Sequence, residues 1–108
     1  HIIVAQQVLV YKLSALPMII SDEMVEKYKN GSRPERDATQ EEVDEIKNLL
    51  LDTVNKTAAD YKDEIFESYN EYTTSIGFNL KNAAEAIVYN NFHEGLHIGV
   101  MMTIRKFI

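Results

Sequence analysis

The sequence contains no cysteine. Disulfide scaffolds, zinc ribbons and catalytic thiols are therefore excluded, and histidine and carboxylate remain as the side chains that could bind a metal ion. The absence of cysteine also fits a reducing cytoplasm. No apolar run approaches the roughly 18 residues that suggest a membrane span. Basic residues are the minority, 11 against 17 acidic ones, which argues against a general nucleic-acid surface.

The chain of 108 residues has room for one domain, which we assign to residues 1–108. Hydrophobic residues make up 45% and charged residues 26%, an ordinary balance for a globular protein. The sequence opens on His1 and runs directly into the apolar stretch "HIIVAQQVLVYKLSALP". We expect residues that precede His1 to be missing from this sequence; the alternative is that His1 is the remnant of a purification tag.

Turn and capping residues divide the first half of the chain into helices. The first is predicted over Ile2–Leu16 and ends before Pro17. Ser21 can cap a short helix that runs through Lys29, and residues 31–38 have the composition of an exposed loop.

The clearest helix signal begins at Thr39, where Thr39-Gln40-Glu41-Glu42 has the pattern of a capping box. An apolar stripe at spacings of three and four follows and predicts a helix face that packs on a core. The stripe consists of Val43, Ile46, Leu50, Val54, Ala58, Tyr61, Ile65 and Tyr69.

A break at residues 73–79 precedes the last helix, which we predict over Leu80–Lys106 with Asn79 as its cap. Apolar residues occupy almost every side of this helix, so we expect it to be buried among its neighbours. No alternating strand and no repeat is visible. The predicted fold is an all-α, antiparallel up-and-down helix bundle.

The last helix contains His93-Glu94-Gly95-Leu96-His97, a literal match to the metalloprotease pattern H-E-x-x-H. Two histidines four residues apart share one helix face and can point at a single ion. The alternative without a metal is a pair of neutral core histidines, each of which bonds to a carbonyl or a tyrosine. A protease would need a third ligand after the motif, but the residues that follow His97 contain no carboxylate and no histidine.

The third ligand is therefore expected upstream, where His1 is the remaining histidine of the chain. Three neutral histidines leave open positions on an ion, as catalytic sites do. Glu94 lies about 100° round the helix from His93 and should point away from the metal. Tyr89, one turn before His93, is a candidate pocket residue, with a packed core tyrosine as the alternative.

The histidine that opens "HIIVAQQVLVYKLSALP" and the later "HEGLHIGVMMTIRKF" together resemble the DinB-like family of metal-binding four-helix bundles. Carried over onto this sequence, the resemblance implies His1, His93 and His97 as metal ligands, with Gly99 and Arg105 matching later family positions. It also implies a first helix before His1, which this chain lacks; without that helix, a partner chain such as a second copy in a homodimer would have to cover the core.

The resemblance further implies a metal-dependent enzyme that holds zinc or nickel. Related chemistry adds a low-molecular-weight thiol to a small electrophile, or uses the ion to activate water for hydrolysis. No nucleic-acid partner is implied. The competing interpretation is a non-enzymatic helical module that binds metal or a partner, and an H-E-x-x-H zinc metalloprotease is a lesser alternative.

Overall fold

The computed structural model describes residues 1–108 and is helical apart from one short hairpin. The four α-helices are α1 (Ile2–Val10), α2 (Asp22–Tyr28), α3 (Gln40–Lys62) and α4 (Ala83–Ile104). Single 3-10 turns follow α1 at Lys12–Ser14 and α4 at Arg105–Phe107, and the hairpin pairs β1 (Tyr72–Thr73) with β2 (Asn79–Leu80). The helical class predicted from the sequence is confirmed, whereas the hairpin was not predicted.

The first helix is shorter than its sequence pattern predicts. It ends at Val10 rather than Leu16, and the chain then passes through the left-handed conformation at Ala15, with φ of 57°. The Ser14 hydroxyl donates to the Val10 carbonyl at 2.6 Å, which satisfies an acceptor that the helix end would otherwise leave free. The chain therefore leaves the helix before it reaches Pro17.

Two of the three predicted N-terminal caps, Ser21 and Thr39, are present. Ser21 accepts from the Met24 amide at 3.1 Å and begins α2. Thr39 accepts from the Glu42 amide at 3.2 Å while the Glu42 carboxylate accepts from the Thr39 amide at 2.8 Å, which completes the capping box of α3. Both caps depend only on neighbouring residues, so the local sequence was sufficient to find them.

The apolar stripe of α3 was misjudged in length and in burial. The helix ends at Lys62 because Glu64 adopts the left-handed conformation, so Ile65 and Tyr69 lie beyond it. Within α3, Leu50, Val54, Ala58 and Tyr61 are exposed, and the buried residues are Thr53 and Thr57. The first part of α3 therefore meets the rest of this chain through Ile46 and Leu49, and its later part through Thr53 and Thr57.

The last helix starts at Ala83 rather than Leu80, because Asn79 and Leu80 belong to the hairpin. Its cap is Asn82, whose side-chain oxygen accepts from the Glu85 amide at 2.8 Å. The expected burial on all sides is wrong: Ala83, Ala86 and Asn90 are the buried residues of α4. Large apolar side chains are exposed along the rest of the helix, among them Val88, Phe92, Leu96, Ile98 and Met102.

The central element of the fold is α1, which packs on both long helices. Its first residues, Ile3 and Val4, pack near Ile46 and Leu49 of α3, and its end reaches Thr57 of α3 through Tyr11. Contacts thus advance along α1 and α3 together, so these two helices run in the same direction. This departs from the alternating arrangement predicted, because the long connection through α2 returns the chain to the same end.

The helices α1 and α4, in contrast, run in opposite directions. His1 lies beside His93 and His97, whereas Leu9, Val10 and Tyr11 share a core cluster with Leu80 and Ala86. Contacts advance along α1 while they retreat along α4, so the two helices are antiparallel. This arrangement brings the first residue of α1 to the middle of α4, although the two are more than 90 positions apart in the sequence.

Candidate metal centre

His1 stands at the N-terminal end of α1 and is held by the end of α2. Its Nδ1 lies 3.0 Å from the carbonyl oxygen of Tyr28, the last residue of α2. Because a carbonyl oxygen can only accept, Nδ1 carries the proton and donates it. The lone pair of the neutral ring is then on Nε2, the atom left free to bind a metal ion.

His93 and His97 lie one turn apart on α4 and face each other. Their Nε2 atoms are 3.1 Å apart, and their ring centroids are separated by 4.6 Å. The centroid of the His1 ring is 5.2 Å from that of His93 and 5.1 Å from that of His97. One nitrogen from each of the three rings lies within 4.8 Å of the others. The structure thus brings together all three histidines predicted as ligands.

The spacing of these nitrogens fits a single small ion. Metal–nitrogen bonds of about 2.0–2.1 Å at tetrahedral angles place two ligand nitrogens about 3.3–3.4 Å apart. The separation of 3.1 Å between His93 and His97 is close to that value. Three imidazoles are a ligand set suited to zinc and nickel. The residues present could therefore hold one divalent ion.

The environment of His93 favours its neutral, metal-binding form. Burial lowers the pKa of His93, and the neighbouring His97 ring lowers it further, because a second positive charge so close is unfavourable. The Nδ1 atom of His93 is buried and has no hydrogen-bond partner. The ring is oriented by stacking instead, since the Tyr89 ring lies nearly parallel to it, at 14° and 6.2 Å between centroids.

Tyr89 contacts His93 through its ring and is part of an aromatic group with Phe78 and Phe92. The centroid of Tyr89 is 5.8 Å from that of Phe78 and 6.0 Å from that of Phe92. Tyr89, the candidate pocket residue, therefore lies against the His93 ring and supports its orientation.

Glu94 lies on the side of α4 that faces α3, and its carboxylate accepts from the Asn90 side-chain amide at 3.0 Å. At the position where an extended protease motif would place a further histidine, Thr103 donates to the Gly99 carbonyl at 3.0 Å. The residues that would complete a protease site after His97 are absent from the centre, and its third histidine comes from α1.

The sequence from residue 1 to residue 101 matches the family model described as the DinB superfamily. The chain belongs to the DinB superfamily. The matched region includes all three histidines of the centre. No curated protein and no solved structure shows significant similarity to the chain. None of the helices of this DinB-superfamily chain combines the length and the apolar character needed to cross a bilayer.

Two features of the DinB-superfamily centre were not predicted from the sequence. One is the Tyr28 carbonyl, because a backbone acceptor leaves no signal in residue type. The other is a cleft of about 580 Å³ between α3 and α4, whose lining includes Asn90 and Glu94 but none of the three histidines. Asn90 had a sequence signal that was overlooked: it is a short polar residue on the same face as the histidine pair.

Proposed function

We propose that this protein is a metal-dependent enzyme in which His1, His93 and His97 bind one divalent ion, zinc or nickel. The observation that carries the proposal is the convergence of three imidazoles from two helices, with the His1 ring fixed by the Tyr28 carbonyl. Three protein ligands leave coordination positions for an exogenous molecule, which distinguishes catalytic from structural metal sites.

We propose thiol-dependent S-transfer as the reaction. The ion supplies Lewis acidity, which lowers the pKa of a thiol bound beside it. The thiol sulfur forms a bond to the carbon of a small electrophile, the leaving group departs with its electron pair, and the thiol proton is released to solvent. The protein positions the three proposed metal ligands. The helix α4 fixes the spacing of His93 and His97, the Tyr28 carbonyl sets the tautomer of His1, and Tyr89 orients His93.

The exposed apolar surface supports a second, structural part of the proposal. Leu50 and Val54 of α3 are 42% and 54% exposed, and Leu96 and Ile98 of α4 are each 50% exposed. Large apolar side chains exposed to this extent on two helices mark a site of packing. We propose that a helix preceding residue 1 covers these residues and completes a four-helix bundle, as the family resemblance implies. In its absence, a second copy of the chain would be the covering partner.

The metal is tested first, with tag-free protein. We expect close to one zinc or nickel ion per chain, and loss of that ion in His93→Ala and in His97→Ala. Asn91→Ala is the matched control, because Asn91 lies on the same helix and is exposed. Metal retention in the double variant His93→Ala/His97→Ala would place the site elsewhere and overturn the proposal.

The reaction is tested with cobalt-substituted protein, because cobalt accepts the same ligands and its spectrum reports coordination. Adding 2-mercaptoethanol should produce a sulfur-to-metal charge-transfer band, and adding 1-chloro-2,4-dinitrobenzene should then release chloride and the thioether. Both signals should be absent in His97→Ala. A protein that holds metal but gives neither signal is a binding module, and hydrolysis of casein would favour the protease.

A further inference from the structure

Two buried side-chain atoms of this protein have no hydrogen-bond partner, and both belong to α4. They are Oδ1 of Asn90 and Nδ1 of His93. A buried polar atom without a partner is destabilising, because it has lost its hydrogen bonds to water and gained none in return. Asn90 is 4% exposed, and leucine would fill a similar volume without that cost. The fold alone therefore gives no reason for an amide at this position.

The partner of Asn90 Oδ1 has to come from the protein. The atom is buried, so a molecule in the α3–α4 cleft would not reach it. The nearby amide of Gln6 is already engaged, since its Nε2 donates to Thr57 Oγ1 at 2.6 Å. Glu94 offers only a carboxylate, which is a further acceptor. Of the two unpaired atoms, His93 Nδ1 is the one that can carry a proton.

Helix geometry directs the free oxygen of Asn90 towards His93. Successive residues of a helix are turned by about 100°, so His93 lies about 60° to one side of Asn90 and Glu94 about 40° to the other. The Asn90 Nδ2 donates to Glu94 Oε1 at 3.0 Å, which fixes the nitrogen end of the amide on the Glu94 side. The oxygen end is therefore the one available to His93. Residues three apart have Cβ atoms about 5–6 Å apart, so small side-chain rotations suffice for contact.

Binding of an ion at His93 would require an acceptor for Nδ1. The Nε2 atoms of His93 and His97 face each other at 3.1 Å, so Nε2 is the atom that each ring would offer to an ion. A neutral ring bound through Nε2 carries its proton on Nδ1, and metal-binding histidines nearly always donate that proton to an oxygen. His1 already has such a partner in the Tyr28 carbonyl. Tyr89 covers a face of the His93 ring and leaves the edge with Nδ1 free.

We infer that Asn90 is a positioning residue of the metal centre. When His93 Nε2 binds the ion, His93 Nδ1 donates its proton to Asn90 Oδ1, and Glu94 holds the Asn90 amide in the orientation that presents this oxygen. The inference rests on the proposed metal site but on no particular reaction. It also gives the glutamate of the H-E-x-x-H match a role other than the activation of water, because Glu94 influences the ion only through Asn90 and His93.

The first measurement is zinc affinity at about pH 8, where free imidazole is neutral, by competition with a chromophoric chelator. Asn90→Leu removes the acceptor and should weaken zinc binding about ten- to a hundredfold, the loss typical of groups that orient a metal ligand. The metal-free variant should unfold at the parent temperature or above it, because the unpaired oxygen is gone. Asn91→Leu is the matched control: Asn91 is the next residue and is exposed, so zinc affinity should not change. A destabilised Asn90→Leu with parental zinc affinity would show that Asn90 is structural and overturn the inference.

A second variant should restore the acceptor. Asn90→Asp/Glu94→Gln exchanges the amide and the carboxylate, so the net charge is unchanged and the amide at position 94 can donate to the carboxylate at position 90. A carboxylate is a stronger acceptor than an amide oxygen, and we expect zinc to bind at least as tightly as in the parent. A loss as large as that of Asn90→Leu would contradict the role assigned to the acceptor.

Nitrogen-15 NMR of the zinc-loaded protein reports the hydrogen bond itself. The parent should show a slowly exchanging His93 Nδ1 proton with a nuclear Overhauser effect to the Asn90 side-chain amide. In Asn90→Leu the same proton should exchange faster with water, a change that a merely structural asparagine would not produce. A zinc-loaded parent without this contact would overturn the inference.

Failure of the inference and failure of the proposed function give different patterns. If the parent binds zinc, His97→Ala loses it and Asn90→Leu keeps it fully, the metal centre stands and the role of Asn90 falls. If zinc affinities follow the expected order but no thiol transfer occurs, the proposed reaction falls and the role of Asn90 stands. A parent that binds zinc no better than His97→Ala would overturn both.

Discussion

Replacement of Thr57 by valine should destabilise this protein through a single lost acceptor. Thr57 is 7% exposed, and its hydroxyl oxygen accepts from Gln6 Nε2 at 2.6 Å and lies 3.3 Å from the Tyr11 hydroxyl. Gln6 is itself 5% exposed, so valine at position 57 leaves its amide without a partner in a buried place. Tyr11 keeps its bond to Asp60 at 2.6 Å and loses little.

The expected cost is the desolvation penalty of one buried amide donor, about 1–3 kcal/mol. For a domain near this size, each kcal/mol changes the unfolding temperature by about 4–8 °C, so a loss of about 2 kcal/mol lowers it by about 8–16 °C. Valine and threonine have similar volumes and helix propensities, so cavity and propensity effects largely cancel.

Thr53→Val is the control for this prediction. Thr53 lies one turn earlier on the same helix and is 3% exposed, but its hydroxyl donates to the Leu49 carbonyl of its own helix at 2.7 Å. Losing that bond leaves no other residue unpaired, so Thr53→Val should unfold near the parent temperature. Thermal unfolding followed by circular dichroism measures both variants. Equal unfolding temperatures for the two would refute the role assigned to the Gln6–Thr57 bond.

Hydrogen bonds from Arg36, then from Lys27 and the Thr39 amide, hold the pKa of Glu42 well below its ordinary value of 4.5. The stability that Glu42 contributes is therefore present above pH 4.5 and lost as the pH falls below it. In Glu42→Gln, the free energy of unfolding measured with urea should decrease less between pH 4.5 and lower pH than it does in the parent. Zinc affinity measured by calorimetry should fall as the pH drops through about 6.5, where free imidazole takes a proton. The lowered pKa of His93 keeps this side chain neutral to lower pH. An affinity that does not change with pH would exclude histidine ligation. Residues 1–108 alone should self-associate in light scattering, because Ile98 and Met102 are 50% and 66% exposed. The double variant Ile98→Gln/Met102→Gln should reduce association without loss of helicity. A monomeric parent would contradict the proposal that a second copy covers the exposed apolar residues when no further helix does.

Some features of this protein depend only on neighbouring residues, and the sequence predicted these correctly. The Ser21 and Thr39 caps are bonds across three residues, so any chain with these residues in a helical start would form them. The pairing of His93 with His97 is likewise a consequence of helix geometry, because residues four apart share a face. Membership of the DinB family was visible in the same histidines.

Other features depend on which surfaces meet. Helix ends were mispredicted where Ala15 and Glu64 adopt left-handed conformations, since residue type gives little warning of these turns. The apolar period of α3 identified a stripe, but tertiary packing placed Thr53 and Thr57 inside and left Leu50 and Val54 exposed. The apolar pattern specifies a surface that can be buried, whereas the neighbours present decide whether it is.

The candidate site combines both kinds of information. The sequence alone determined that His93 and His97 could share an ion, and it left His1 as the remaining histidine. Only the tertiary structure brought His1 to them, because α1 must run antiparallel to α4 and the end of α2 must present the Tyr28 carbonyl to Nδ1. The buried oxygen of Asn90 also became visible only there, since an unpaired acceptor is a property of its surroundings and not of the residue.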